Sequence, residues 1–431
     1  MLKAAIQQST FIPQALYNQR LSPAQLHGLQ NRKLRAMVQH AWVNSPFYRT
    51  KFEAAGLTPD DIQTVKDLVK LPPTTKAEIQ KAGNDQVLAH GFSPANTIDE
   101  ATSGSSGKVL HIYHSHEAFN HYFAFAFRHL TSIGYRPWQR VAYTSFDQLM
   151  PLPWEKLGLG QRQQIDLTRK DPRAYIEDLL RIRPQLITAY PSILQLVLNA
   201  ATPAELARIR PQVIHLHSEL LTDSLRNQIR SAFDCDCFDD YSTFEFHHVA
   251  YECRLHHYHL AADNVIVEFV RDGRPAQPGE EGEILLTGLT NRAMPLFRYA
   301  INDVGIPSDE ACTCGCNFPT MKLIQGRVDD FIVLPSGRRF SPRMINPVYE
   351  HLPGVMEHVL VQERLDHIVV HVNIDTTHQA TTPTLIKETL GNLFAEPIQL
   401  DVKLTTEFER GRTGKLRNVV SKVKHSLQNY N

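Results

Sequence analysis

The chain has 431 residues, too many for one ordinary hydrophobic core and few for three, so we expect two domains of unequal size. Hydrophobic residues make up 42% of it, and no apolar run approaches the roughly 18 residues that a membrane-spanning helix needs, which excludes an integral membrane protein. Lys plus Arg and Asp plus Glu are equal at 45 each, so the excess positive charge of a nucleic-acid-binding protein is missing.

The N-terminal segment mixes polar side chains such as Lys3, Gln7 and Gln8 with its apolar residues, so it lacks the continuous apolar stretch of a secretory signal. We therefore expect a cytoplasmic protein whose partners are small molecules, with neither a nucleic acid nor a membrane among them. The sequence leaves open whether the protein forms a homodimer. The six cysteines fall mostly into tight groups, which is closer to metal ligation in a reducing compartment than to a disulfide framework.

The first predicted element is a long helix. Apolar residues between positions 22 and 47 recur at steps of three and four, and the pattern stops before Ser45 and Pro46. In the middle of the chain, short apolar runs alternate with a helical pattern, which predicts an α/β arrangement. The predicted strands cover residues 141–143, 186–188 and 213–216, and the helix covers residues 192–200.

Two β-branched runs, at residues 265–270 and 283–287, are separated by turn-rich sequence and predict antiparallel strands. A smaller α+β region is predicted after Gly326. It would contain strands at 355–361, 367–374 and 398–404 and a helix at 382–394. We therefore predict an N-terminal domain of residues 1–326 and a C-terminal lid domain of residues 327–431.

A segment rich in glycine and hydroxyl groups precedes Lys108. Its backbone N–H groups and hydroxyls can surround phosphate oxygens while the lysine supplies positive charge. It is not a Walker loop, because Gly104 and Lys108 are too close and Val109 stands where that loop needs Ser or Thr. Taken alone, such a segment could equally be a flexible linker. Its residues are Thr102, Ser103, Gly104, Ser105, Ser106, Gly107 and Lys108.

Four further motifs follow in chain order, and together with the loop they resemble the adenylate-forming superfamily. They occupy residues 241–245, 298–303, 326–330 and 411–417. The sequence is most similar to the phenylacetate-CoA ligase family over nearly its whole length, including three N-terminal segments at 45–48, 55–57 and 71–76. The resemblance implies an α/β fold, with a large adenylate-forming N-terminal domain and a small mobile α+β C-terminal domain.

The resemblance implies ATP-dependent activation of a carboxylic acid, of aryl or arylacetic type, to acyl-AMP and pyrophosphate, followed by acyl transfer to coenzyme A. Relatives also transfer acyl groups to amines or other acceptors, so the acceptor stays open. A non-catalytic nucleotide-binding scaffold is a further alternative, against which the joint presence of Lys415, Asp303 and Glu245 argues. The implied cofactors are ATP, Mg²⁺ and a structural Zn²⁺, with coenzyme A as co-substrate.

By the same resemblance, the loop at residues 102–108 would hold the β- and γ-phosphates of ATP, and Ser218 and Glu219 would line the adenine pocket. Asp303 would accept hydrogen bonds from both ribose hydroxyls, a role that suits an ionised acceptor. Arg327 would lie close to the same sugar and phosphate.

The motif at residues 241–245 would bind both ends of the nucleotide. Tyr241 would stack on adenine, and Glu245 would coordinate Mg²⁺, as a hard oxygen ligand for a hard cation. The chain departs from the family pattern at Ser242, where glycine is usual, and at Phe244, where Thr or Ser is usual. A phenyl ring cannot bind the α-phosphate by a hydrogen bond, so either Thr243 replaces that contact or the contact is absent.

Lys415 would bridge the substrate carboxylate and the α-phosphate during adenylation. Its role would be electrostatic, because the carboxylate is already a nucleophile and the barrier lies in charge gathered at phosphorus. The acyl pocket would be lined by residues 143–148 and 189–192. Aromatic residues there, such as Tyr143, Phe146 and Tyr190, would suit an aryl acid, although they could equally be core residues.

Cys253, His259, Cys312 and Cys314 form a set of three thiolates and one imidazole, which suits tetrahedral zinc. Some relatives in the family carry cysteine, histidine and Cys-x-Cys at these places. A closed set of four ligands indicates structural rather than catalytic zinc. Cys316 competes with Cys312 or Cys314 as a ligand, and buried cysteines without metal are the alternative.

Overall fold

The structure is a computed structural model that describes residues 10–102, 110–145, 160–169, 171–327, 330–350, 352–410 and 416–423. Its α-helices are α1 Ile12–Asn18, α2 Pro23–Asn44, α3 Pro46–Ala54, α4 Lys76–Ala82, α5 Asn84–Val87, α6 His116–Ser132, α7 Pro172–Ile182, α8 Pro191–Ala200, α9 Pro203–Ile209, α10 Asp223–Phe233, α11 Pro342–Glu350 and α12 Thr382–Phe394. Within these residues, no helix has the length and apolar content needed to cross a bilayer.

The strands, in chain order, are β1 Ile98–Thr102, β2 Leu110–His114, β3 Val141–Ser145, β4 Arg162–Asp166, β5 Leu186–Ala189, β6 Val213–His217, β7 Cys237–Thr243, β8 His247–Glu252, β9 Tyr258–Leu260, β10 Val265–Arg271, β11 Arg274–Pro275, β12 Gly282–Gly288, β13 Tyr299–Ser308, β14 Thr320–Arg327, β15 Ile332–Val333, β16 Arg339–Phe340, β17 Val355–Arg364, β18 His367–Ile374, β19 Gln399–Leu404 and β20 Val419–Ser421. Short 3-10 helices occupy Pro59–Asp61, Val65–Lys70, Pro94–Asn96 and Leu167–Arg169.

The predicted long helix is α2, and its ends follow from local chemistry. Ser22 accepts a hydrogen bond from the backbone N–H of Gln25, whose side chain in turn accepts from the N–H of Ser22. This reciprocal capping box satisfies donors that a helix start leaves unpaired. The helix ends at Asn44, as the Ser-Pro pair predicted, and Ser45 then caps α3.

The described chain divides into two compact units. The first combines the residues up to Gly134 with Asp240–Leu323. Its sheet has the order β11-β10-β12-β13-β14-β9-β8-β7, and β10 and β12 pair antiparallel as predicted. A hairpin of β1 and β2 stands beside this sheet as a separate pair of strands.

A buried ion pair anchors the helices of the first unit. Arg128 on α6 contacts Asp263 at 2.8 Å, and both side chains are inaccessible to solvent. Asn18 also donates to the same carboxylate, at 2.8 Å. Because each charge meets a partner and a hydrogen bond, the cost of burying it is offset.

The second unit contains Tyr135–Asp239 and the chain from Ile324 onward. Four parallel strands, in the order β4-β3-β5-β6, confirm the predicted α/β arrangement. The C-terminal strands form a sheet of order β19-β18-β17-β20, covered by α12. The predicted helix at 382–394 agrees with α12 residue for residue. The domain boundary at residues 326 and 327 stays a prediction.

Candidate active site and metal centre

Tyr241 and Asp303 lie together in the first unit. Tyr241 stands on β7 and pairs with Ala250 across the hairpin to β8. Asp303 is half-buried on β13, next to Asn302, whose φ of 63° gives the strand a local irregularity. The Tyr241 hydroxyl donates a hydrogen bond of 2.6 Å to Oδ2 of Asp303. The structure therefore brings together an aromatic ring and a carboxylate that the sequence assigned to adenine and ribose.

Glu245 lies in the turn between β7 and β8, and its position depends on two neighbours. The Thr243 hydroxyl oxygen accepts the backbone N–H of Phe246 at 3.1 Å, which shapes the turn. The hydroxyl of Tyr299 donates to Oε1 of Glu245 at 3.4 Å. Glu245 also borders a small pocket shared with Tyr122, Thr290, Asn291 and Met294.

The partner of Glu245 was missed from the sequence. Tyr299 belongs to the motif at residues 298–303, but no role followed for it from that pattern.

The Thr243 hydroxyl keeps its own proton while it accepts the backbone N–H of Phe246, so it retains one donor for a phosphate oxygen. Ser242, the neighbouring predicted residue, is half-buried and pairs with His248 on β8.

Several predicted residues lie outside the described chain. They are residues 103–108 of the predicted phosphate loop, Lys415, which was predicted to be catalytic, and Phe146 of the predicted acyl pocket. The segment 103–109 connects β1 to β2, and its flanking residues Thr102 and Leu110 are cross-strand partners. Arg327, at the end of β14 in the second unit, has an exposed side chain.

Glu219 joins two segments of the second unit. Its carboxylate accepts from the backbone N–H of Ser192 at 2.9 Å and from the Ser192 hydroxyl at 3.1 Å, at the start of α8. It also accepts the backbone N–H of Leu416, next in sequence to Lys415, at 3.4 Å. Burial raises the pKa of Glu219, although these hydrogen bonds oppose the shift. Ser218, with a φ of 72°, contacts His217 at 2.9 Å.

The predicted acyl-pocket residues Tyr143 and Tyr190 lie on and directly after two parallel strands. Tyr143 is buried on β3 opposite Thr188 of β5. Tyr190 follows β5, donates its backbone N–H to the Thr144 hydroxyl at 3.3 Å, and packs edge-on against His217 with ring centroids 5.1 Å apart. Ligands of α/β sheets bind at the carboxyl ends of the strands, which favours a substrate position near Tyr190.

The four predicted zinc ligands converge in the first unit. One donor atom from each of Cys253, His259, Cys312 and Cys314 lies within 4.8 Å of the others. The Cys253 and Cys312 sulfurs are 3.6 Å apart, and the Cys314 sulfur is 3.3 Å from Nε2 of His259. Cys253 follows β8 and His259 lies on β9, so the β8–β9 hairpin brings two ligands together.

Contacts around the four ligands set their orientation. Nδ1 of His259 donates to the carbonyl oxygen of Phe318 at 3.0 Å, which leaves Nε2 as the nitrogen directed at the cysteines. Cys316 lies outside the group, because its sulfur contacts the Tyr251 hydroxyl at 3.7 Å. Burial raises the pKa of Cys253 to about 12, so a metal ion must displace a proton from this thiol.

Comparison with known proteins identifies relatives along most of the chain. A phenylacetate-coenzyme A ligase of Thermus thermophilus is 25% identical over 354 residues, covering 79% of this chain and 78% of the relative. A phenylacetate-coenzyme A ligase of Escherichia coli is 26% identical over 368 residues, covering 81% of this chain and 83% of that relative. No protein-family model matches the chain.

Among solved structures, a 2-hydroxyisobutyryl-CoA ligase in the postadenylation state superimposes with a TM-score of 0.76. It is 17% identical and covers 94% of this chain and 91% of that one. The sequence relatives confirm the predicted resemblance to phenylacetate-CoA ligases, and the superposition confirms the predicted fold of adenylate-forming ligases.

Proposed function

We propose that this chain, a relative of the phenylacetate-coenzyme A ligases with the fold of adenylate-forming ligases, activates a carboxylic acid with ATP and transfers the acyl group to coenzyme A. The relatives support an adenylate-forming ligase. The observation that carries the proposal in the structure is the 2.6 Å bond between Tyr241 and Asp303. In this proposal the Tyr241 ring would stack on the adenine, and the neighbouring Asp303 carboxylate would accept hydrogen bonds from the ribose hydroxyls.

The nucleotide would extend from this pair toward Glu245, which lies four residues after Tyr241. Bound Mg²⁺ would neutralise phosphate charge, and Glu245 is the carboxylate in this turn that would hold it. The hydrogen bond from Tyr299 orients that carboxylate. The segment 102–108 would surround the β- and γ-phosphates, and Ser218, Glu219 and Arg327 would complete the adenine and ribose contacts.

The chemical step needs positive charge more than a proton acceptor. The substrate carboxylate is ionised at neutral pH and attacks the α-phosphorus directly, with pyrophosphate as the leaving group. Lys415 would neutralise the charge that develops on the phosphate oxygens in the transition state. Glu219 accepts the backbone N–H of Leu416, the residue that follows Lys415 in the sequence.

The four-ligand centre would hold a structural zinc ion. The donor set of three thiolates and one imidazole suits zinc, and it leaves no position for a reacting water. Cys253 follows β8 and His259 lies on β9. The metal would therefore stabilise β8, which pairs with the strand of Tyr241 and follows the turn of Glu245.

The acid itself is proposed to be aryl or arylacetic, because the aromatic rings of Tyr143 on β3 and Tyr190 directly after β5 would suit an aryl group. A panel of aryl and aliphatic acids, assayed for ATP–pyrophosphate exchange, tests activation. The responding acid is then supplied with coenzyme A or with amines, and mass spectrometry identifies the product. Formation of a thioester with coenzyme A supports the proposal, whereas an amide product indicates an amine acceptor. If no acid supports ATP–pyrophosphate exchange although the protein still binds ATP, the chain is a nucleotide-binding scaffold.

A further inference from the structure

A second group of potential metal ligands lies apart from the cysteines, also in the first unit. Glu100 lies on β1, His114 on β2, and His247 at the start of β8. Oε2 of Glu100 is 3.0 Å from Nε2 of His247 and 3.4 Å from Nε2 of His114. All three donor atoms lie within 4.8 Å of one another.

Within the described chain, two of these atoms have no hydrogen-bond partner outside the group. Oε2 of Glu100 and Nε2 of His247 are buried and pair with each other at 3.0 Å, and neither reaches a donor or acceptor outside the group among the described residues. A buried polar atom without a partner costs free energy, and such atoms cluster where an ion or ligand binds.

We propose that Glu100, His114 and His247 bind one divalent transition-metal ion, with zinc as the probe. One carboxylate oxygen and two imidazole nitrogens suit zinc better than magnesium, which prefers oxygen ligands. Ligands about 2.0–2.2 Å from a tetrahedral zinc ion are roughly 3.3–3.5 Å from one another. The observed separations of 3.0 and 3.4 Å are close to that spacing.

The surroundings hold the two imidazoles. Tyr122 stacks on His247 with ring centroids 4.2 Å apart, and its hydroxyl is 3.4 Å from Nδ1 of His114. Nε2 of His114 is also 2.9 Å from the carbonyl oxygen of Phe244, to which it donates without metal. Metal binding at Nε2 moves that proton to Nδ1, where the Tyr122 oxygen can accept it.

The site has a structural consequence for the proposed active site. β1 leads into the segment 103–109, and His247 stands two residues after Glu245. A metal ion bound by Glu100 and His114 of the β1–β2 hairpin and by His247 of β8 would fix this hairpin against the turn that carries Glu245. Glu245 itself is not among the three ligands, so the site differs from the proposed Mg²⁺ position.

The test is metal content, measured by mass spectrometry on full-length protein purified without chelators and dialysed against zinc. The wild type is expected to hold two zinc ions per chain, Cys253→Ser one, and His247→Ala one. The matched control is His111→Ala, because His111 lies on β2 but has an exposed ring paired with Asp99. This control is expected to keep both ions.

Cobalt substitution identifies which ion remains. Cys253→Ser should keep cobalt absorption without the thiolate charge-transfer band, whereas His247→Ala should keep that band. If circular dichroism shows that His247→Ala is misfolded, the closely isosteric Glu100→Gln decides instead. Wild-type protein with one zinc ion, lost in Cys253→Ser and unchanged in folded His247→Ala or Glu100→Gln, overturns the proposal.

Discussion

The hydroxyl of Tyr241 donates a hydrogen bond of 2.6 Å to Oδ2 of Asp303, joining β7 to β13. The bond fixes the direction of the carboxylate, and the remaining lone pairs of Asp303 can still accept from neighbouring hydroxyls. Two residues with different predicted roles are therefore oriented by one contact. ATP affinity should depend on both, but unequally.

Asp303→Asn is expected to weaken MgATP binding at least tenfold, because hydrogen bonds to charged groups contribute about 1.5–3 kcal/mol. Tyr241→Phe keeps the ring and should cause a smaller loss, since it removes only the bond to Asp303. Isothermal titration calorimetry measures both. The control is Asp309→Asn, an exposed carboxylate just beyond β13. Wild-type affinity in Asp303→Asn would contradict the assigned ribose contact.

Cys253→Ser and Cys314→Ser are each expected to lose one zinc ion per chain relative to the wild type. Their melting temperatures should fall too, because a missing ligand leaves the metal poorly held. Cys316→Ala is the matched control, since its sulfur contacts Tyr251 rather than the four-ligand group. Elemental analysis measures the zinc content, and thermal melts measure the melting temperature. If Cys253→Ser keeps the zinc content and the melting temperature of the wild type, the four residues do not form a zinc site.

Arg128→Met should destabilise the protein by about 3–5 kcal/mol, because it leaves the Asp263 carboxylate buried without its partner. Replacing both members, as in Arg128→Met with Asp263→Leu, should recover much of that loss. Arg49→Met is the control, because Arg49 forms an exposed pair with Glu53. Thermal melts compare the three variants, and equal melting of Arg128→Met and Arg49→Met would contradict the account.

His358 should make stability depend on pH. Burial lowers the pKa of His358 to about 3, and the ring stacks on Tyr349 with centroids 3.7 Å apart. The unfolded chain binds a proton below about pH 6.5 and the folded chain does not, so stability falls as pH drops from about 6.5 to 3. The slope from this one group is at most about 1.4 kcal/mol per pH unit.

His358→Phe is expected to flatten that slope, because the variant removes the proton that only the unfolded chain binds. His371→Phe, on the adjacent strand β18, is the control. Unfolding midpoints measured between about pH 4 and 7 compare the two variants with the wild type. A slope in His358→Phe as steep as that of the wild type would show that this histidine is not responsible.

Patterns within one element were predicted well because their cause is local. The helix at 382–394 follows from the apolar spacing of Ile386, Leu390 and Phe394, which the structure buries against the C-terminal sheet. The α/β arrangement at residues 141–216 likewise follows from strands that alternate with a helix along the chain. Both predictions use only the pattern along the chain and need no contact between distant segments.

Contacts between distant segments were not predictable in the same way. Nothing in the sequence near Tyr299 points to Glu245, and nothing near Ser192 points to Glu219, because long-range pairing depends on the register of the whole sheet. The four candidate zinc ligands were predicted because cysteine and histidine form a recognisable donor set. Glu100, His114 and His247 carry no such signal, since single glutamates and histidines are common.

The central claim is that the chain forms acyl-AMP through Lys415. The direct measurement is acid-dependent exchange of labelled pyrophosphate into ATP in the presence of Mg²⁺, compared between wild type, Lys415→Ala and the control Lys422→Ala, whose lysine forms an exposed pair with Glu363. We expect exchange in wild type and Lys422→Ala and a loss of at least about 100-fold in Lys415→Ala, with ATP binding retained. Wild-type exchange in Lys415→Ala, or no exchange in wild type with any acid, would contradict the account.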